Sequence, residues 1–269
     1  MNLKLWILPL AVLFVAGLAT AQVSVIGELS QDHEARPGEQ YNGTITVKND
    51  TNEPQEAKAY QTDYLFFSNG TNRYDEPGTT TRSNAKWITF SPAFMTIPPQ
   101  GTVVVNFTVN VPNDQKLAGS YWSMLMVEGI PQSSPESSRP MAKKKTEMGI
   151  MQTIRYGIQI ATHIANTGER KIEFKDPKVV TKGDDGRVFQ VDVLNTGTLG
   201  IRPEVYLELF NAQGASMGKF PGVRYRIYPG TSVRQTIDVS SVPKGAYKAL
   251  VVVDAGGEDI FGAQYNLQF

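Results

Sequence analysis

Apolar and polar residues alternate with a period of two along most of this chain, and turn-forming residues break the alternation every ~8 to 12 positions, the pattern of a β-sandwich. Thr44-Ile45-Thr46-Val47-Lys48 alternates and stops at Asn49-Asp50-Thr51-Asn52. Val103 to Val109 is strand-like and follows Pro98-Pro99-Gln100-Gly101, a turn set up by proline and glycine. Tyr121 to Val127 predicts a further strand closing at Gly129-Ile130-Pro131, and Met148 through Ile160 is the longest β-prone stretch. From Lys171 onward a second set appears: Lys178 to Lys182, Arg187 to Leu194, Glu204 to Phe210, Ser232 to Val239, Tyr247 to Val253 and Gln264 to Phe269. Asp185-Gly186 is a hairpin signal between the first two, because both residues tolerate positive φ. No segment sustains a helical period. The predicted class is all-β: two tandem immunoglobulin-like β-sandwich domains after a signal peptide.

The signal is residues 1 to 21. Lys4 provides a basic start, Leu5 to Leu18 an apolar run, and Ala19-Thr20-Ala21 the small residues a cleavage site needs. The apolar run is shorter than the roughly 20 residues of a bilayer span. The expectation is an exported chain beginning near Gln22, with no membrane span after cleavage, located in the periplasm, secreted or at the cell surface. Within it, Pro131 to Lys145 (PQSSPESSRPMAKKK) replaces apolar residues by serine, proline and charge. It predicts a mobile loop over 131–147 inside a first domain of 22–165, which Asn166-Thr167-Gly168 closes. Residues 166–269 form the second domain. The two share phrases: Val47-Lys48-Asn49 and Val193-Leu194-Asn195, then Pro99-Gln100-Gly101 and Pro229-Gly230, then Gly119-Ser120-Tyr121 and Gly245-Ala246-Tyr247. This is the pattern of a divergent internal repeat.

Composition narrows the chemistry. The chain has no cysteine, so disulfides, thiol nucleophiles and zinc–cysteine sites are excluded and burial alone holds the domains. Its 26 Lys plus Arg balance 26 Asp plus Glu, which gives no global field toward nucleic acid or anionic lipid. The one local basic run, Lys143-Lys144-Lys145, reads as a solvated loop, and Asp184-Asp185 reads as a turn because the further acidic positions of a calcium loop are missing. The only histidines are His33, in what reads as a loop, and His163, at a strand end. No metalloprotease, nucleophile-elbow or phosphate-loop motif is present. The chain reads as a non-enzyme without metal or cofactor. Trp122 lies in the most apolar strand and is expected in the core, whereas the phase of Trp87 does not settle its face.

The order of Gly129-Ile130-Pro131, a long loop, and then Gln152-Thr153-Ile154-Arg155-Tyr156 resembles the periplasmic pilus-assembly chaperones of the PapD-like family. The signal peptide, the two sandwich domains and the Val-x-Asn strand end at Asn49 fit the same plan. The resemblance implies β-augmentation, in which an exposed alternating strand is paired with a secreted pilus or surface subunit that lacks one. By the same resemblance Met148 and Ile150 are the apolar donors and Arg155 holds the subunit's C-terminal carboxylate. An outer-membrane assembly protein is the further partner it implies. The family's basic partner on the first strand has no counterpart, since Val23 to Glu34 contains neither Arg nor Lys. Val111-Pro112-Asn113-Asp114 followed by Leu117-Ala118-Gly119-Ser120-Tyr121, and Val242-Pro243-Lys244-Gly245-Ala246-Tyr247, are also similar to envelope proteins with tandem immunoglobulin-like modules. That similarity implies a cell-envelope scaffold or surface-binding protein as the alternative.

Overall fold

The structure, a computed structural model, describes residues 22–132, 134–139, 153–183 and 186–269. The proposed signal, the Lys143-Lys144-Lys145 run and the Asp184-Asp185 pair lie outside these residues. The first unit contains β1 (Val23–Ile26), β2 (Ser30–Ala35), β3 (Gln40–Asn49), β4 (Gln55–Phe66), β5 (Asn72–Asp75), β6 (Ile88–Ser91), β7 (Phe94–Ile97), β8 (Thr102–Asn110), β9 (Gly119–Ile130) and β10 (Arg155–Ile164). The second contains β11 (Ile172–Lys182), β12 (Gly186–Asn195), β13 (Glu204–Phe210), β14 (Ser216–Pro221), β15 (Ser232–Asp238), β16 (Ala246–Asp254) and β17 (Ile260–Gln268). A single 3-10 turn at Ala85–Trp87 is the only helical element among the described residues.

These strands make two immunoglobulin-like β-sandwiches in tandem. In the first, a four-stranded sheet ordered β1-β3-β8-β6 faces a sheet ordered β2-β10-β9-β4-β5, with β7 also on β4. In the second, β11-β12-β15 faces β14-β13-β16-β17. The period-two pattern supplies each core. Ile45, Val47, Val105, Phe107 and Val109 point inward from one sheet and meet Leu125, Val127, Ile158 and Ile160 from the other. Phe189, Val191, Leu207, Leu209, Ile237 and Val251 do the same in the second unit. Gly43 lies under the Phe107 ring, where a Cβ would stand 2.1 Å from Cζ, so only glycine admits that ring.

The repeated phrases occupy equivalent places. Asn49 ends β3 fully buried, donates to the carbonyls of Glu53, Ile97 and Pro98, and accepts from Thr51. Asn195 ends β12 fully buried, donates to the carbonyls of Leu199 and Ile227, and accepts from the Gly197 N–H. Each ties the end of its strand to the proline-bearing turn before the next alternating strand, β8 or β15.

The strands read from alternation are present as β3, β8, β9, β10 and most of the second unit. The sequence reading passed over β2, β4, β5, β6, β7 and β14. Gln55–Phe66 (β4) hides because it is packed on both faces and its burial does not alternate. His33, expected in a loop, stands within β2, its ring stacked 3.9 Å from that of Tyr41. The N-terminal stretch changes sheets: β1 runs antiparallel to β3, Gly27 turns with φ 104°, and β2 then runs parallel to β10.

Candidate functional site

The outer face of the β2-β10-β9-β4-β5 sheet is built in rows by the strand register. Lys58 on β4, Glu128 on β9 and Arg155 on β10 stand abreast. Tyr60, Met126 and Gly157 form the next row, and Thr62, Met124 and Gln159 the one after. Trp122 and Ala161, then Ser120 and His163, carry the face to the second sandwich.

Arg155 opens β10 with its side chain 62% exposed, and its Nε lies 3.2 Å from Glu128 Oε2. The same carboxylate oxygen accepts from the Tyr60 hydroxyl at 3.0 Å. Burial and this bond to a carboxylate both push the Tyr60 hydroxyl pKa up. Among the described residues Glu128 is the ion-pair partner of this mostly exposed guanidinium. Beside it a cavity of about 780 Å³ is floored by Met124, Met126 and Gly157 and walled by Tyr60, Tyr74 and Pro77. The absent side chain at Gly157 keeps that floor open, since a Cβ would stand 2.9 Å from Met124 Sδ. The far wall is pinned by Asp63, a fully buried carboxylate that accepts from the N–H groups of Gly78, Thr79 and Thr80 and from the Ser83 hydroxyl.

The edge of β10 next to this cavity is half covered. Strand β2 pairs with Gln159 to Ile164 only. The Gln159 N–H donates to the Leu29 carbonyl at 3.0 Å, and in an antiparallel ladder alternate residues send their N–H groups the same way. Arg155 and Gly157 therefore direct their N–H groups to the side on which, among the described residues, no strand pairs with them. Leu29 and Ile154, both exposed, lie beside that edge. Of the three residues singled out from the sequence, Arg155 is placed here, while Met148 and Ile150 lie outside the described residues. Glu128, Tyr60, Met124, Met126 and Gly157 were not singled out: the period of two places Met124, Met126 and Glu128 on one face of β9, and only the register of β4 and β10 brings Tyr60 and Gly157 beside them.

At the start of the stretch expected to be a loop, residues 134–139 lie against β4. Glu56 accepts from Ser137, from the Ser138 N–H and from the Ser138 hydroxyl, Lys58 pairs with Glu136 at 2.7 Å, and Arg139 reaches Glu53. The serine bonds hold the Glu56 carboxyl below its usual range.

The other end of the face is the junction of the sandwiches. Trp122 is buried as expected, but its partner is Tyr228 of the second unit, stacked at 4.5 Å and 6°. Tyr228 donates to Gln159 Oε1, and burial pushes its hydroxyl pKa up to about 12. Ser120 Oγ lies 2.7 Å from His163 Nδ1, and His163 Nε2 lies 3.4 Å from Asp32 Oδ1. This places Ser, His and Asp in line, yet it does not make a nucleophile: Ser120 is fully buried and its oxygen is already taken by the Gly200 N–H at 2.7 Å. Among the described residues no group of three or more histidines and carboxylates is placed to hold a metal ion, and no helix is long and apolar enough to cross a membrane. Trp87, left unassigned by its phase, packs half-buried against the first core beside Tyr121.

No family model and no curated protein matches this sequence. Solved structures do show similarity, all at low identity. A chain of the chaperone–tip adhesin complex of CFA/I fimbriae is 12% identical, over 91% of this chain and 98% of that one, with a TM-score of 0.48. A chain of the CsuC–CsuE chaperone–tip adhesion subunit complex of Acinetobacter baumannii is 12% identical over 90% and 98%, TM-score 0.46. A chain of the Salmonella enterica SafA pilin–SafB chaperone complex is 13% identical over 93% and 98%, TM-score 0.44.

Proposed function

We propose that this is a non-enzymatic periplasmic chaperone-like protein that binds a secreted pilus or surface subunit by taking an extended strand of that subunit onto β10. The observation that carries the reading is the half-open edge: β2 covers Gln159 to Ile164 and leaves Arg155 and Gly157 with outward N–H groups. Strand addition takes affinity from main-chain bonds and specificity from pockets for alternate side chains. The cavity over Met124, Met126 and Gly157 supplies such a pocket next to the edge. In this reading Met148 and Ile150, just upstream, donate apolar side chains, each worth roughly 1.5 to 3 kcal/mol when buried. Arg155 meets the subunit's terminal carboxylate with its mostly exposed guanidinium. An outer-membrane assembly protein is the second partner the reading calls for.

The test is co-expression with a secreted pilus subunit that lacks its closing strand, followed by co-purification and amide hydrogen exchange. Capture with new protection at Arg155 and Gly157 is the expected result. Protection elsewhere but not on β10 overturns strand addition at this edge. Arg155→Ala is expected to weaken capture at least about tenfold, the factor that about 1.4 kcal/mol gives. Its thermal midpoint stays nearly unchanged, because an exposed ion pair contributes at most about 1 kcal/mol. Undiminished capture by Arg155→Ala removes the arginine from the site.

A further inference from the structure

Edge strands expose unpaired N–H and C=O groups, and soluble proteins guard them with charge, proline, bulges or shortness. Outside the open half of β10, the edges of this molecule are guarded, with one exception. Strands β1, β5, β6 and β7 have four residues each, and β2 carries Asp32 and Glu34. In the second sandwich β15 carries Arg234 and Asp238, β14 has a break in register with Lys219 and Pro221, and β11 has a bulge beside Asp176 and Pro177. Strand β17 has none of these. Its nine residues (IFGAQYNLQ) include no charge and no proline, its register on β16 is unbroken, and among the described residues β16 is its only partner. Gly245 and Phe269 exchange both main-chain bonds, so Ile260, Gly262, Gln264, Asn266 and Gln268 send their N–H and C=O groups to the open side. The core is also incompletely closed there: Phe261, Ala263 and Tyr265 are half-buried, while their neighbours on β16, Val253, Val251 and Ala249, are fully buried.

We propose that β17 is a self-association edge, at which two copies of this chain pair their β17 strands antiparallel about a two-fold axis through Gln264. The site is separate from β10 and does not depend on strand addition there. Three features of the strand point to a second copy as its occupant. An isologous contact must be self-complementary, and an uncharged strand sets no like charge against itself and offers no charged group to select a foreign partner. Gln264 is both the midpoint of β17 and an outward residue, so the pairing with full overlap is also the one in which the free groups meet in hydrogen-bonded pairs. Side chains match in that register as well. On the inner face Ala263 meets Tyr265 of the second copy and Phe261 meets its Leu267, a small residue against a large one and two apolar residues together, which closes the half-covered end of the core. The two sheets ordered β14-β13-β16-β17 then become one continuous sheet. Strand β11, across the sandwich from β17, carries Glu173 and Asp176 with Lys175 and Lys178, so charges of both signs border the contact. Pairing along one strand edge lies at the small end of interface sizes, and the dimer is therefore concentration-dependent.

Sedimentation velocity of the protein between about 1 and 300 μM should show a reversible shift from monomer to dimer, the range that a small interface calls for. Gln264→Pro removes the outward N–H at the axis and should raise the dissociation constant at least about tenfold. Single cysteines read the register independently of that variant, because the chain has no cysteine of its own. Gln264→Cys sets two thiols on directly opposed residues, about 5.5 Å apart at Cα and within disulfide reach, so mild oxidation should link the dimer. Asn266→Cys stands roughly 14 Å from its own counterpart and should stay unlinked. Gly262→Cys, whose added Cβ meets nothing nearer than 3.6 Å, should likewise stay unlinked alone and should link to Asn266→Cys when the two are mixed. A protein that remains monomeric at about 300 μM, which would leave the edge to a different partner, overturns the proposal. So does a dimer undiminished in Gln264→Pro, or Asn266→Cys that links as readily as Gln264→Cys.

Discussion

Asn49 in the first sandwich and Asn195 in the second do the same work, while Ser120 and Ala246, the middle residues of the two Gly-x-Tyr phrases, do not. Both asparagines are fully buried caps that join a strand end to a distant turn. Ser120 is buried in the junction and bonded to His163 and Gly200, whereas Ala246 is exposed. Gly119 itself, at φ 77°, approaches the Thr198 carbonyl of the second unit so closely that a Cβ would stand 2.1 Å from it. Three residues after that glycine, Trp122 stacks on Tyr228 and its counterpart Lys248 points to solvent. The repeat thus keeps what each sandwich needs to fold alone and diverges where one sandwich meets the other. The edges diverge too. Strand β11 stays on β12 from Ile172 to Lys182 with a bulge between Lys175 and Lys178, and among the described residues β17 pairs with β16 alone, whereas the first unit splits the same stretch into β1 and β2 and covers half of β10.

The largest effect should come from the junction aromatics. Trp122→Ala is expected to destabilise by about 3 to 5 kcal/mol, the cost of deleting a buried large side chain, and Lys248→Ala by no more than about 0.5 kcal/mol. Calorimetric unfolding of both variants checks this, and equal losses would contradict a special role for the junction position. Next are the caps. Asn49→Ala and Asn195→Ala should each cost about 2 to 4 kcal/mol, because every variant strands buried carbonyls without a donor. A loss confined to one of them would break the claim that the repeat conserves its caps.

Smaller is the contrast between edges. Gly157→Pro removes one outward N–H from β10 and sets a ring over the Met124 floor of the cavity, and should weaken subunit capture at least about tenfold. Gln264→Pro on β17 also sits at an outward position, in phase from the Phe269–Gly245 pair, and should leave capture unchanged. Titration of the captured subunit against both variants decides which open edge is used. The smallest effect is electrostatic. Asp192, buried beside Arg234 with Oδ1–Nε at 2.7 Å, has its pKa lowered chiefly by that hydrogen bond. A lowered carboxyl contributes stability above its unfolded value of about 3.9 that is lost as pH falls through the folded value. Thr46 is the matching residue in the first unit, three before Asn49 as Asp192 is three before Asn195. Loss of this pair in acid should therefore weaken the second unit by less than about 1 kcal/mol, and Asp192→Asn should remove that contribution from its pH-dependent unfolding.

Alternation of apolar residues determined the all-β class, the two sandwiches and most of their inward positions, because a pleated strand sends neighbours to opposite faces and that rule is local. The repeated Val-x-Asn and Gly-x-Tyr phrases were equally legible, since each caps or turns the chain next to itself. Strand β4 was not, because a strand packed on both faces has no alternation to read. Nor was the change of sheet at Gly27 that opens half of β10, for pairing partners are chosen across more than a hundred residues. Arg155 was legible as a basic residue on an apolar strand, but its neighbours Glu128 and Tyr60 meet it only through the register of three strands. Ser120, His163, Asp32, Gly200 and Arg226 are scattered over the whole chain, and only the docking of one sandwich against the other puts them in one line.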